Sequence, residues 1–325
     1  WKDILTKKRL TLIIENYAQV VVEVDEDTKK KKEKQIFPRY HQLDVVTKLL
    51  ADVKTNGVGK KYLIQHSAGS GKSNSIAWLA HQLIGLEQDG RPMLDSVIVV
   101  TDRRILDKQI RDTIKQFMQV GSTVAWAEHS GDLTKAITDG KRIIVTTIEK
   151  FPYIVPQIGA EHKDNHFAII IDEAHSGQSG RNSAQMNLAL SGLASDDEMD
   201  NEDKINAMME GRKLLNNASY FAFTATPKNK TLETFGVPYQ DGDDVKHRPF
   251  HVYTMKQAIQ EGFILDVLQY YTPIDSFYKL MKTVEDDPMF DKKRAQKKLR
   301  SFVESDSYTI AKKAAMMVDH FHEQV

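Results

Sequence analysis

Gly69, Gly71, Lys72 and Ser73 fall together in the stretch His66-Ser67-Ala68-Gly69-Ser70-Gly71-Lys72-Ser73. Those residue types at that spacing suit the binding of phosphate. Glycines let backbone N–H groups turn inward around phosphate oxygens, and a helix that starts there offers its positive end. Lys72 is placed to reach β- and γ-phosphates, and the Ser73 hydroxyl to hold Mg²⁺. Ala68 and Ser70 complete the cradle. His66 stands where the general P-loop pattern has its first glycine.

A second set of chemical residues follows an apolar run. Phe167-Ala168-Ile169-Ile170-Ile171 leads into Asp172-Glu173-Ala174-His175. A carboxylate pair at the end of a buried strand needs a partner, because an unpaired buried charge is costly. A metal supplies one: Asp172 would coordinate Mg²⁺, and Glu173 would orient and deprotonate an attacking water. His175 could pass a hydrogen bond to the next loop, Thr224-Ala225-Thr226-Pro227. There the Thr224 and Thr226 hydroxyls could carry the state of the γ-phosphate onward.

Upstream lies Phe37-Pro38-Arg39-Tyr40-His41-Gln42. The Gln42 amide has a donor and an acceptor and suits the two-sided edge of adenine. Arg39 or an aromatic could lie over the base, although Phe37 and Tyr40 also read as packing residues. Two polar loops at strand ends read as exposed and carry the groups that hold nucleic-acid phosphates without reading sequence. They are Thr101 with Arg103, and Thr146 and Thr147 with Lys150.

These loops need a scaffold that brings them to one edge. Apolar, β-branched runs recur at residues 62–65, 97–101, 143–147, 167–171 and 220–224, with helical patterns at 43–53, 73–85 and 105–117 between them. Strands alternating with helices imply an α/β fold: a parallel sheet with helices on both faces. In such sheets functional loops sit at the carboxyl ends of the strands, where every loop named above falls.

Residues 1–36 read as a lead-in, with a strand at Val20-Val21-Val22. Their charge run at residues 29–34 is either a solvated linker or a contact to DNA phosphate. Residues 177–218 read as a polar helical excursion. A new unit begins near Asp266, with a strand at 267–271. The chain has 325 residues, 41% hydrophobic and 28% charged, with a formal net charge of +0. No global basic field announces nucleic acid, so a DNA contact must be local. No apolar run reaches the roughly 18 residues of a membrane span, which excludes a membrane-spanning role by this criterion. The absence of cysteine fits a reducing cytoplasm. The chain starts at Trp1 and ends at Val325 inside a helical pattern, and it reads as a segment of a longer protein.

The ordered set of Gln42, residues 69–73, Thr101-Asp102-Arg103, Thr146-Thr147, residues 172–175 and residues 224–227 resembles the first RecA-like lobe of superfamily two helicases and translocases. The resemblance covers residues 37–265, with 266–325 as the start of a second lobe. Three stretches bring it closer to the motor subunit of type I restriction endonucleases: residues 65–80, Val100 to Arg103, and residues 171–175 with Ser176, Gln178 and Gly180. So does the run from Tyr253-Thr254-Met255 to Gly262-Phe263-Ile264.

The resemblance implies an ATP- and Mg²⁺-dependent translocase on double-stranded DNA, in the cytoplasm of a bacterium or archaeon. It implies a complex with methyltransferase and specificity subunits, and cleavage by a separate nuclease domain. Another superfamily two helicase, on DNA or RNA, and a non-hydrolytic ATP-gated assembly module are the alternatives. No nuclease residues are identified in residues 1–36. In this fold an arginine from the second lobe stabilises the transferring phosphoryl group, an effect of about 10³–10⁵ in rate. The expectation is therefore that the 325-residue chain binds ATP-Mg²⁺ but turns it over slowly. Phosphate release measured with and without DNA checks this, and robust DNA-stimulated turnover would contradict it.

Overall fold

Apolar side chains alternate between two directions along the long central strands of this chain, and both directions are buried. Tyr62 and Ile64 enter one hydrophobic cluster while Leu63 enters another. Val97 and Val99 part in the same way from Ile98 and Val100, and Ile143 and Val145 from Ile144. A sheet covered on both faces needs near-continuous apolar strands, which is what the sequence supplies.

The computed structural model describes residues 4–24, 31–101, 113–114, 124–127, 130–147, 164–172 and 217–266. It also describes Lys2, His162 and a few positions between 310 and 321. The chain divides into two units, Trp1–Ile264 and Leu265–Val325. In the second, the described residues are Leu265, Asp266 and helical positions between Ile310 and Phe321.

The first unit opens with α1 (Lys7–Asn16), β1 (Gln19–Val24) and β2 (Lys31–Ile36). There follow α2 (Tyr40–Asn56), β3 (Lys61–His66) and α3 (Lys72–Ile84). Next come the short pair β4 (Glu87–Gln88) and β5 (Arg91–Pro92), then β6 (Ser96–Thr101) and β7 (Val124–Trp126). After these lie α4 (Ser130–Thr138), β8 (Ile143–Thr147), β9 (Phe167–Ile171) and β10 (Ala218–Thr224). The last elements are α5 (Asn229–Phe235), β11 (Val237–Asp241), β12 (Asp244–Arg248), β13 (His251–Tyr253) and α6 (Met255–Gln260).

Seven strands form one sheet in the order β13-β3-β10-β9-β6-β8-β7. Every pairing in it is parallel. Residues of α2 and α3, including Leu49, Ile76 and Leu79, cover one face, and Ala136, Ile137 and Phe235 of α4 and α5 cover the other. This is the RecA-like α/β sheet with helices on both faces that the alternating pattern implied. The registers set the carboxyl ends in a row. Thr224 lies beside Gln65, Ala222 beside Ile171, Val100 beside Ile171, and Thr101 beside Thr147. From β3 the chain passes over the places of β10 and β9 to β6, so the loop after β3 lies at a switch in strand order.

Residues 1–36 do more than lead in. Tyr17 and Val21 are buried in the same cluster as α2 and α3. The Trp78 indole N–H donates to Tyr17 O at 3.1 Å, and the two rings pack at 5.6 Å. Of the charge run at 29–34, residues 31–34 lie in β2, paired antiparallel with β1, rather than in a free linker. Alternation explains β1: Val21 is buried between exposed Val20 and Val22, and the backbone of β2 pairs with it along its whole length. The expected helix at 105–117, the excursion at 177–218 and the strand at 267–271 lie wholly or almost wholly outside the described residues.

Trp78 is 1% exposed and joins the amino-terminal segment to α3. Trp78→Phe keeps an aromatic ring but leaves a buried carbonyl without its donor. It should destabilise the chain by about 1–3 kcal/mol, read as a lower midpoint in denaturant unfolding.

Candidate nucleotide site

The loop between β3 and α3 is built by its glycines and by the start of α2. Gly69 and Gly71 have φ of +71° and +77°, a region that L side chains rarely adopt. Space is closed there as well. A Cβ on Gly71 would stand 2.5 Å from Gln42 Nε2, and one on Gly69 would stand 2.7 Å from Ile264 Cγ2.

Three successive carbonyls of this loop are held from one side. Arg39 Nη1 donates to Gly69 O at 3.3 Å, and His41 Nε2 to Ser70 O at 2.9 Å. Gln42 Nε2 donates to Gly71 O at 2.9 Å, with a longer contact to Ser70 O at 3.3 Å. In a trans peptide the N–H points opposite to the C=O before it. Carbonyls fixed toward α2 therefore aim the N–H groups of Gly71 and Lys72 away from it. These groups belong to the first turn of α3, where a helix cannot satisfy its own donors. The Ser67 and Ser70 hydroxyls are buried nearby and have no hydrogen-bond partner among the described residues. Oriented N–H groups, hydroxyls in need of partners and Lys72 at 9% exposure fit an anionic phosphate chain.

Gln42 was expected to read adenine. In the structure its amide lies on the loop: Oε1 accepts from Arg39 N–H at 2.8 Å, as an N3 residue reaching back to a helix start, and Nε2 donates to the loop carbonyls. Oε1 keeps a second lone pair for a base, but both Nε2 hydrogens face loop carbonyls, so donating to a base means releasing one of them. Arg39 has its guanidinium 3.8 Å from the centre of the Phe263 ring. Phe37 and Tyr40 are exposed.

Asp172 follows β9 and is 4% exposed, with its N–H donating to Val100 O at 2.9 Å. One strand, β10, separates it from β3. At the usual strand spacing that is about 10 Å across the sheet, a span suited to a nucleotide phosphate and its metal. Ser73 is half-buried at the start of α3. Among the described residues no group of three or more His, Asp or Glu is placed to hold a metal by itself. Mg²⁺ in such sites takes few protein ligands and several from phosphate and water, so Ser73 and Asp172 fit that role. Glu173, His175, Arg103 and Lys150 lie outside the described residues.

Thr224 is buried at the end of β10, between the P-loop strand and β9, and Thr226 is exposed just beyond it. Thr101, Thr146 and Thr147 were expected in exposed loops, but all three are buried. The sheet is covered on both faces out to its last strand residues, and Thr101 Oγ1 donates to Thr146 O at 3.4 Å. They support the strand ends and do not present hydroxyls to solvent.

Sequence reasoning missed the histidine group behind the loop. His66 Nε2 lies 2.8 Å from His251 Nδ1, and His251 Nε2 lies 3.0 Å from Asp44 Oδ2. The Asp44 carboxylate fixes a proton on His251 Nε2, so His251 Nδ1 accepts and His66 donates. His41 stacks flat on Tyr253, with centroids 3.7 Å apart and planes at 10°. His66 was visible as a departure from the glycine pattern, but its partner, 185 residues away, left no local signal.

A cleft lined by Gly57, Val58, Arg91, Met93 and His166 lies at the amino ends of β3, β6 and β9. That is the far side of the sheet from the loops above. Among the described residues no helix is long and apolar enough to cross a membrane.

A parallel sheet with a phosphate-binding loop at its switch point and an acidic residue two strands away defines a P-loop nucleotide-binding lobe of the RecA-like type. Known proteins agree with this class. The SWI2/SNF2 ATPase family matches residues 41–300, and the chain belongs to that family.

Among curated relatives, it is 28% identical over 233 residues to the type I restriction enzyme SsaAORF53P endonuclease subunit of Staphylococcus saprophyticus. That match takes 69% of this chain and 20% of the relative. It is 27% identical over 289 residues to the putative type I restriction enzyme MjaIXP endonuclease subunit of Methanocaldococcus jannaschii, with 81% and 23% covered. The chain thus spans about a fifth of the length of the curated relatives it matches. Among solved structures, the UvsW helicase of bacteriophage T4 is 13% identical with a TM-score of 0.43, covering 77% of this chain and 68% of that one. A nuclease-deletion mutant of the Type ISP restriction-modification enzyme LlaGI, in complex with a DNA substrate mimic, is 15% identical. Its TM-score is 0.42, and 72% and 22% of the two chains are covered.

Burial holds His66 neutral, pushing its pKa down to about 2, and the neighbouring His251, His41 and Lys72 add to this. His41 and His251 are also lowered, chiefly by burial. The unfolded chain takes up protons near pH 6.5 that the folded chain refuses. Stability from these groups is complete above that pH and is lost as pH falls below it. The denaturation midpoint should therefore drop between pH 7.5 and pH 5, and His66→Gln should flatten that slope.

Proposed function

We propose that this chain is the ATP-binding and hydrolysing motor lobe of a type I restriction enzyme, driving translocation on double-stranded DNA before a separate nuclease domain cuts. The observation that carries the nucleotide part is the hold on Gly69, Ser70 and Gly71 carbonyls by Arg39, His41 and Gln42. It aims the loop's N–H groups where phosphate oxygens would lie. Ala68, Gly69, Ser70 and Gly71 line the cradle, and Lys72 supplies the charge.

Ser73 and Asp172 hold Mg²⁺, which neutralises charge on the phosphates when bound. Glu173, one residue beyond Asp172, orients and deprotonates the attacking water. Gln42 and Arg39 meet the adenine after the amide exchanges one of its loop contacts. His175, Thr224 and Thr226 link the nucleotide to the rest of the motor, and the position of Thr224 between β3 and β9 supports this. Arg103 and Lys150, which follow Thr101 and Thr146-Thr147 in the sequence, take DNA phosphates.

The restriction role rests on the similarity to type I endonuclease subunits over 69–81% of this chain. On this reading residues 37–265 are the first lobe and 266–325 begin a second, after a lead-in at 1–36. The partners are methyltransferase and specificity subunits, in the cytoplasm of a bacterium or archaeon.

Lys72→Ala should weaken ATP-Mg²⁺ binding about tenfold to a hundredfold, the loss of charge-assisted bonds to phosphate. Titration calorimetry on the 325-residue chain measures it, and unchanged affinity would remove the P-loop assignment. In the longer protein, Glu173→Gln should abolish hydrolysis while leaving binding intact.

A further inference from the structure

We propose that Glu261 is a positioning residue for the nucleotide site: it gathers two tyrosine hydroxyls and so fixes the helix start that holds the P-loop. The Tyr40 hydroxyl donates to Glu261 Oε1 at 2.9 Å, and the Tyr253 hydroxyl donates to Glu261 Oε2 at 2.7 Å. Tyr40 is the first residue of α2. It stands between Arg39 and His41, two of the residues whose side chains grip the loop carbonyls. Tyr253 is the face on which the His41 ring lies. One carboxylate thus ties both supports of the His41–Ser70 bond together.

Glu261 comes to this place by local construction. Thr254 and Gln257 form a capping box that starts α6, and the helix ends one turn later at Glu261, whose N–H donates to Gln257 O at 3.0 Å. The residues beyond it meet the same loop again. Phe263 lies against the Arg39 guanidinium, and Ile264 packs where a side chain on Gly69 would fall. The segment from Tyr253 to Ile264 is therefore a brace on the back of the P-loop, close to where the first unit gives way to the second at Leu265.

Tyr40 and Glu261 are both exposed, so their bond adds little to global stability. Its effect falls on the order of the loop, which separates positioning from plain structural support. Two donors need two acceptors, and a carboxylate offers one oxygen to each. An amide at the same position keeps both links: its oxygen accepts from one hydroxyl and its NH₂ donates to the other phenolic oxygen. Alanine keeps neither.

The proposal rests on the reading that this loop holds ATP phosphates, and the test separates the two. Hydrogen exchange of the Ser70, Gly71 and Lys72 amides, measured without nucleotide, reads loop order alone, and ATP-Mg²⁺ titration reads binding. In the 325-residue chain, Glu261→Ala should speed exchange at those amides and raise the Kd for ATP-Mg²⁺ about three- to tenfold, as for the loss of one or two exposed hydrogen bonds. Glu261→Gln should stay near wild type in both.

Unchanged loop exchange in Glu261→Ala would overturn the proposal. So would a Glu261→Gln variant as impaired as Glu261→Ala, or faster exchange with no change in the Kd of a chain that binds ATP. If wild type itself fails to bind ATP while exchange still rises in Glu261→Ala and recovers in Glu261→Gln, the brace stands and the nucleotide reading falls. Should Glu261→Ala not fold, Tyr40→Phe removes a single exposed hydroxyl and carries the same two measurements.

Discussion

The site depends on a restraint applied to the carbonyls of the P-loop rather than to its N–H groups. Peptide planes are rigid, so fixing a carbonyl fixes the N–H behind it. Arg39, His41 and Gln42 hold the carbonyls of Gly69, Ser70 and Gly71. The N–H groups of Gly71 and Lys72 are thereby aimed away from α2 by the chain's own side chains. Preorganised donors of this kind need no rearrangement when charge develops on a ligand. Glycine at 71 serves the same restraint, because any side chain there would displace the Gln42 amide.

The sheet determines what that loop can face. Parallel strands with both faces buried have their carboxyl ends in register, and each end delivers one loop to a common edge. Asp172 and the P-loop are separated by β10 alone, so Thr224 lies between the proposed metal ligand and the proposed phosphate cradle. The same two-sided burial draws Thr101, Thr146 and Thr147 inward.

Long buried strands were legible in the sequence because continuous β-branched runs have few alternatives. The strands at 62–65, 97–101, 143–147, 167–171 and 220–224 appear within two residues of their observed limits. β7 and β13 were not legible, since three residues carry no period. β2 was hidden for another reason. Its residues, from Lys31 to Ile36, are mostly charged, and pairing with β1 makes it a strand where composition does not.

At the site, Gly69, Gly71, Lys72, Ser73 and Asp172 were legible from residue type and spacing. Gln42 was singled out, yet its contacts are with the loop, because its neighbours along α2 bring it against Gly71. The group of His66, His251 and Asp44 joins residues distant in sequence, and only the parallel pairing of β13 with β3 reveals it.

That pairing also settles how the sheet ends. The outermost strands, β13 on one side and β7 on the other, are three residues long, against five to seven for the strands between them. A strand edge with unpaired backbone groups is a template on which another chain can add. Here the template tapers to almost nothing at each side. Among the described residues a stray strand would find few N–H and C=O groups to register against at either edge, so the short outer strands themselves discourage edge-to-edge aggregation.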